Sequence, residues 1–233
     1  MSTAVAIEKA LKKHGTKTKA RSSSWFFKTG KGQYGYGDVF IGVTVPEQRK
    51  VAKHFKDLPL PEIKKLLLSK YHECRLTALI ILVAQFNAGD EKTREKIAKF
   101  YLVNAKRVNN WDLVDSSAPY ILGQYLLHKD RSVLYKLVKS KNLWERRIAI
   151  LATFWFIREG DFKDALAIGE TLLSDTEDLM HKATGWMLRE VGKRSRPTLV
   201  RFLNAHKATM PRTALRYAIE HFPKNERGVI LEK

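Results

Sequence analysis

The stretch ERRIAILATF, residues 145–154, opens a run of apolar side chains at helical spacing with charges confined to its start. Four other stretches fall into register with it: ECRLTALIIL at 73–82, NWDLVDSSAP at 110–119, MHKATGWMLR at 180–189 and PRTALRYAIE at 211–220. Arg75, Asp112, Arg147, Lys182 and Thr213 then occupy one position, at steps of 37, 35, 35 and 31 residues. Those lengths suit HEAT-type helix pairs, slightly compressed. In such an array, equivalent helices line one concave surface, which would place Asp112, Asp115, Arg147, Lys182 and Trp186 along the same side.

Outward from this register the chain reads as helix after helix. Apolar residues recur at helical spacing over 2–14, 46–57, 61–69, 73–88, 92–108, 118–128, 132–140, 143–158, 162–173, 177–193, 196–206 and 211–221. Pro46, Pro61, Gly89-Asp90, Asn109-Asn110, Gly160-Asp161, Pro197, Pro211 and Pro223 punctuate the segments. Only Tyr36 to Val45 resembles a strand. The expected fold is all-α, a curved solenoid of HEAT-like antiparallel helix pairs. It forms one domain over 1–233, with a glycine-rich basic and aromatic loop at about 28–38.

Charge sets the partner class. The 233 residues carry 43 Lys and Arg against 24 Asp and Glu, a formal net charge of +19. Self-repulsion on that scale is rationalised by an acidic polymer. The longest apolar stretches, Leu76 to Phe86 and Ile148 to Ile157, fall short of the ~18–20 residues of a spanning helix. The segment MSTAVAIEKALKKHG lacks a signal-peptide core and reads as an amphipathic helix. The expectation is a cytoplasmic, nucleoid-associated monomer. A single cysteine, Cys74, rules out an intramolecular disulfide framework and a Cys-based zinc cluster. It reads as a small buried residue. The seven histidines are scattered without metal-ligand spacing, so neither metal nor cofactor is expected.

Gly30, Gly32 and Gly35 spell GxGxxG, but no buried strand precedes them and no helix directly follows, so the dinucleotide reading fails. Lys28, Lys31, Tyr34 and Tyr36 interleave with these glycines. The loop is either a phosphate and base contact or a partly ordered connector. In Asn109 to Ser117, a helix would set Trp111 and Asp115 four residues apart on one face. An indole and a carboxylate together suit a cationic substrate. The alternative is an N-cap at Asn110 or Asp112 with Trp111 packed. Arg146 and Arg147 open the 143–158 segment, where a helix N-terminus also attracts anions. Lys182, Trp186, Arg189 and Lys193 recur at i, i+4, i+7 and i+11, a basic stripe on one helix face.

On the residues Trp111-Asp112-Leu113-Val114-Asp115, LWERRIAIL with Arg147, and HKATGWMLRE around Trp186, the sequence resembles the AlkD-like family of DNA alkylation-repair glycosylases. The resemblance runs from about GDVFIGVTVPEQR to the C-terminal helices. It implies a basic concave face cradling duplex DNA and excision of N3- and N7-alkylated purines. It also implies Asp115 as the catalytic aspartate, Trp111 and Trp186 as tryptophans flanking the lesion's backbone, and Arg147 and Arg189 as DNA-contacting arginines. With Lys182, Lys193, Lys31 and Tyr36, these complete the expected contact set. The sequence departs from the family pattern at Asp178 and Leu179, where an aromatic pair is usual, and in a longer glycine-rich loop. Two further readings stand beside excision: a non-catalytic binder of damaged or branched DNA, and a protein–protein scaffold.

Overall fold

The computed structural model describes residues 2–232. It is all-α, and among the described residues no strand forms. Contacts divide the chain into two compact units, residues 1–117 and 118–233.

The first unit contains α1 (Ala4–His14), α2 (Lys17–Phe26), α3 (Val45–His54), α4 (Leu60–Leu67), α5 (His72–Ala88), α6 (Glu91–Val103) and α7 (Trp111–Asp115). Helix α5 is its hub, contacting α1, α3, α4, α6 and α7. Every residue from His72 to Leu79 is buried. A helix wrapped on all sides must be apolar all round, as LTALIIL is. Three polar side chains in its first turn, His72, Glu73 and Arg75, are buried with it. Glu73 finds its partners in the preceding loop, accepting the backbone N–H groups of Ile41 at 2.9 Å, Gly42 at 2.7 Å and Val43 at 3.2 Å. A carboxylate held by several N–H groups is a strong anchor, and it fixes this loop on α5.

The second unit begins with a π-helical turn (Pro119–Gly123), followed by α8 (Ser132–Leu137), α9 (Leu143–Arg158), α10 (Lys163–Thr171), α11 (Asp178–Arg194), α12 (Arg196–His206), α13 (Arg212–Ala218) and α14 (Lys224–Leu231). Helices α9 and α11 pack on each other, and α11 also carries α10, α12 and α13. The α11–α13 approach is close. A Cβ at Gly185 would lie 2.5 Å from both the Ala214 carbonyl oxygen and the Tyr217 Cβ, so only glycine permits it.

The five positions of the sequence register fall within the first five residues of α5, α7, α9, α11 and α13. Five local expectations differ from the structure. Helix α2 lies in a segment that shows no helical pattern in the sequence, because it buries no residue and so has no apolar period. Helix α14 likewise buries none. The 118–128 segment forms a π-helical turn rather than a regular helix, and the 92–108 segment leaves α-geometry at Val103. The strand-like stretch 36–45 makes a single parallel bridge, Val39 to Tyr71.

Candidate functional site

In the first unit, α7 is a helix of only five residues, far below the length that sustains itself in water. It is held from outside. Asn110 caps it, its Oδ1 accepting the Trp111 N–H at 2.8 Å, while its Nδ2 donates to Asp38 Oδ2 at 3.1 Å. Asp112 accepts from His72 Nε2 at 2.8 Å and from the Leu113 N–H at 2.9 Å. The other ring nitrogen of His72, Nδ1, donates to Asp38 Oδ2 at 3.0 Å, and Arg75 Nη2 donates to Asp38 Oδ1 at 2.5 Å. The result is a buried row, Arg75–Asp38–His72–Asp112, joining the glycine-rich loop, α5 and α7.

A neutral imidazole has one N–H, so donation to both carboxylates requires the imidazolium. Burial opposes that charge, but the bonds to Asp112 and Asp38 outweigh it and raise the His72 pKa above the ordinary value. Burial also opposes ionisation of Asp38. The His72 bond and the Arg75 charge overcome it and leave that pKa lowered. Two cations facing two anions make the row neutral, the condition for tolerable burial.

Trp111 and Asp115 sit at the two ends of α7, one turn apart and both partly exposed, as the spacing requires. Trp111 stacks on Phe27 with ring centroids 5.3 Å apart and meets the edge of Phe26 at 5.9 Å. Phe27 stacks in turn on Phe40 at 5.2 Å and lies against the His72 ring at 4.8 Å. Asp115 lies near enough to the buried Tyr101 phenol to help raise its pKa, although burial is the larger cause. Asn110 caps the helix and Trp111 is packed on Phe27 and Phe26, as the N-cap reading expects, while Trp111 and Asp115 both remain partly exposed. The glycine-rich loop folds on its own turns, with Gly35 N–H donating to the Lys28 carbonyl at 3.2 Å and Asp38 N–H to the Gly35 carbonyl at 3.0 Å. Lys31 and Tyr36 project from it and are exposed.

In the second unit, Lys182, Trp186, Arg189 and Lys193 all lie on α11, and none of them is buried. Lys182 pairs with Asp178 at 2.7 Å, Lys193 with Glu190 at 2.7 Å, and Arg189 with Glu220. Trp186 lies 6.2 Å from the Phe154 ring. Arg147 is buried, its Nη1 donating to the Leu179 carbonyl at 2.6 Å. Leu179 thus serves Arg147 through its backbone. Arg146 pairs with Asp175 at 2.6 Å. Beside the α11 stripe lies a cleft of about 550 Å³ lined by Lys182, Arg189, Arg216, Tyr217, Glu220 and Arg227. Nε of Arg189 and Nε of Arg227 have no hydrogen-bond partner there. Arg216 and Arg227 were not legible as site residues, because neither belongs to a basic stripe as long as that of α11. Burial pushes the Cys74 thiol up to about 12, which fits its reading as an inert core residue. Among the described residues, no cluster of three or more His, Cys, Asp or Glu could hold a metal ion.

A family model described as DNA alkylation repair enzyme matches residues 7–222. The chain belongs to this family. The fold is also that of a solved structure titled a predicted DNA alkylation repair enzyme from Enterococcus faecalis. The two share 17% sequence identity at a TM-score of 0.71, over 91% of this chain and 98% of the other. No curated protein matches the sequence significantly. For a DNA alkylation repair enzyme the +19 charge has its partner in DNA. No helix among the described residues is long and apolar enough to cross a membrane.

Proposed function

We propose that this alkylation repair enzyme is a glycosylase that hydrolyses the N-glycosidic bond of positively charged N3- and N7-alkylated purines in duplex DNA. The observation that carries the reading is the Trp111–Asp115 pair, an indole and a carboxylate one turn apart on a helix whose position is set by a buried charge row. An alkylated purine leaves with the bonding electrons and becomes neutral, so its departure needs little acid catalysis. The sugar left behind is a cation. The Asp115 carboxylate stabilises that charge and accepts a proton from the water that attacks the anomeric carbon. The Trp111 indole adds cation–π attraction. Trp186, with Lys182, Arg189 and Lys193, is proposed to hold the DNA backbone, which fixes position without reading sequence. Arg147 supports that surface through the Leu179 carbonyl, and Lys31 and Tyr36 offer further backbone contacts.

A second reading, a non-catalytic binder of damaged or branched DNA, draws on the Phe27 stack, which fills one face of the Trp111 indole. Release of N7-methylguanine and N3-methyladenine from methylated duplex DNA, by the wild type beside Asp115→Asn, separates the two. Release by the wild type alone supports the glycosylase. Tight duplex binding with no release by either protein supports the binder.

A further inference from the structure

Helix α2 is unlike every other helix of the first unit. None of its ten residues is buried, yet its C-terminal end presents Trp25 at 83% exposure and Phe26 at 55%. Large aromatic side chains left this open mark a surface that something covers. Lys17, Arg21 and Trp25 stand at i, i+4 and i+8 and so share one face. Arg21, Ser22, Ser23, Trp25 and Phe26 line a shallow groove there. Between Glu8 and Asp38 the chain has eight Lys and Arg and no Asp or Glu. The helix is pinned at its start: the Thr16 N–H donates to the Gly42 carbonyl at 3.3 Å, and a Cβ on Gly42 would lie 2.2 Å from the Thr16 carbonyl oxygen. At its end Phe26 touches Trp111. The patch is therefore rigidly placed and continuous with the candidate site of the same unit.

Three occupants would cover such a patch. A membrane surface asks for a broad apolar face, but α2 has only Ala20, Trp25 and Phe26 amid Lys, Arg, Ser and Thr. A second copy of the chain brings another +19 charge against this basic segment. DNA fits both the charge and the rings, since aromatic side chains stack on bases of any sequence once a base has left the helical stack.

We propose that the Lys17–Arg21–Trp25 face of α2 is a separate DNA contact, in which Trp25 stacks on an unpaired base and Lys17 and Arg21 hold the adjoining phosphates. The inference rests on DNA being the partner and not on the excision chemistry.

The test is fluorescence anisotropy with two labelled duplexes, one fully paired and one carrying a single bulged adenine. Trp25→Ala should weaken binding to the bulged duplex by about tenfold, with little change on the paired one, and Trp25→Phe should restore most of the loss. Arg21→Ala should weaken both and lower the salt slope by about 0.9. Equal affinities of wild type and Trp25→Ala for the bulged duplex overturn the proposal. So does a Trp25-dependent binding to phosphatidylserine vesicles with no effect on DNA, or a Trp25-dependent dimer in sedimentation. Because Trp25 is exposed, its replacement should leave the melting temperature unchanged. Release of N7-methylguanine from methylated duplex DNA by the wild type, measured beside these binding curves, separates the two readings. A Trp25 effect without any excision leaves this contact standing and removes the glycosylase, whereas excision without a Trp25 effect does the reverse.

Discussion

His72 Nε2 lies 2.8 Å from Asp112 Oδ2, and this bond ties the first residue of α5 to the first turn of α7. The two residues are 40 apart in sequence. Through it, a five-residue helix with little intrinsic stability inherits the position of the most buried helix in its unit. The placement of Trp111 and Asp115 depends on that bond and on its mirror at Asp38.

Replacing His72 by Phe should therefore be severe. The new ring would keep the contact with Phe27 and Phe40 but leave Asp112 without its cationic partner and Asp38 with Arg75 alone. Removing one partner of a buried ion pair costs about 3–5 kcal/mol. Urea unfolding should report a loss of that size, while Phe26→Ala at the exposed edge of the same cluster should change the midpoint far less. Equal losses would mean that packing, not charge, holds the row.

The pH dependence follows from the same row. His72 has its folded pKa raised, so its stabilising contribution is complete below the unfolded value of about 6.5 and is lost as pH rises through the folded value. Asp38 has its folded pKa lowered. Its contribution is present above the unfolded value of about 3.9 and disappears as pH falls through the folded one. Unfolding free energy should fall on the alkaline side in the wild type, and the His72→Phe variant should lack that limb. A limb of equal size in both proteins would assign it to another group.

Asp115→Asn should reduce excision of N7-methylguanine by about 10²–10⁴-fold and leave duplex affinity within a factor of about two. The amide preserves shape and removes the charge that the cationic sugar needs. If affinity and stability drop together, Asp115 is a structural residue of α7 instead.

Phosphate contacts are read from salt dependence. Lys193→Ala and Arg216→Ala should each weaken duplex binding and lower the slope of log affinity against log salt by about 0.9. Arg147→Ala should act on stability by about 1.5–3 kcal/mol, because its guanidinium is buried and bonded to the Leu179 carbonyl. A slope unchanged in the Arg216 variant would remove the α11–α13 cleft from the DNA surface.

Gly185→Ala should destabilise the second unit by about 1–3 kcal/mol, since its Cβ would lie 2.5 Å from the Ala214 carbonyl oxygen. Thermal melting checks this, and because Trp186 is the next residue, DNA affinity should fall with it. A neutral effect would show that α13 shifts freely.

The all-α architecture, the helical register and the i, i+4 relation of Trp111 to Asp115 were determined by the sequence alone. Helical periodicity is local, and each apolar stripe announces which residues a helix must bury. The basic stripe on α11 was legible for the same reason, because four residues at fixed spacing lie on one face wherever the helix packs. Helix α2 was not legible, since a helix that buries nothing leaves no apolar period to detect. Nor was the Arg75–Asp38–His72–Asp112 row, whose members are 34 to 40 residues apart and meet only when loop and helices pack. The tertiary structure also decided the surroundings of each arginine: Arg147 is buried against a carbonyl, whereas Arg216 is exposed beside a cleft. Charge and spacing are properties of a segment. Burial, and with it the protonation state of His72, belongs to the neighbours that folding brings to it.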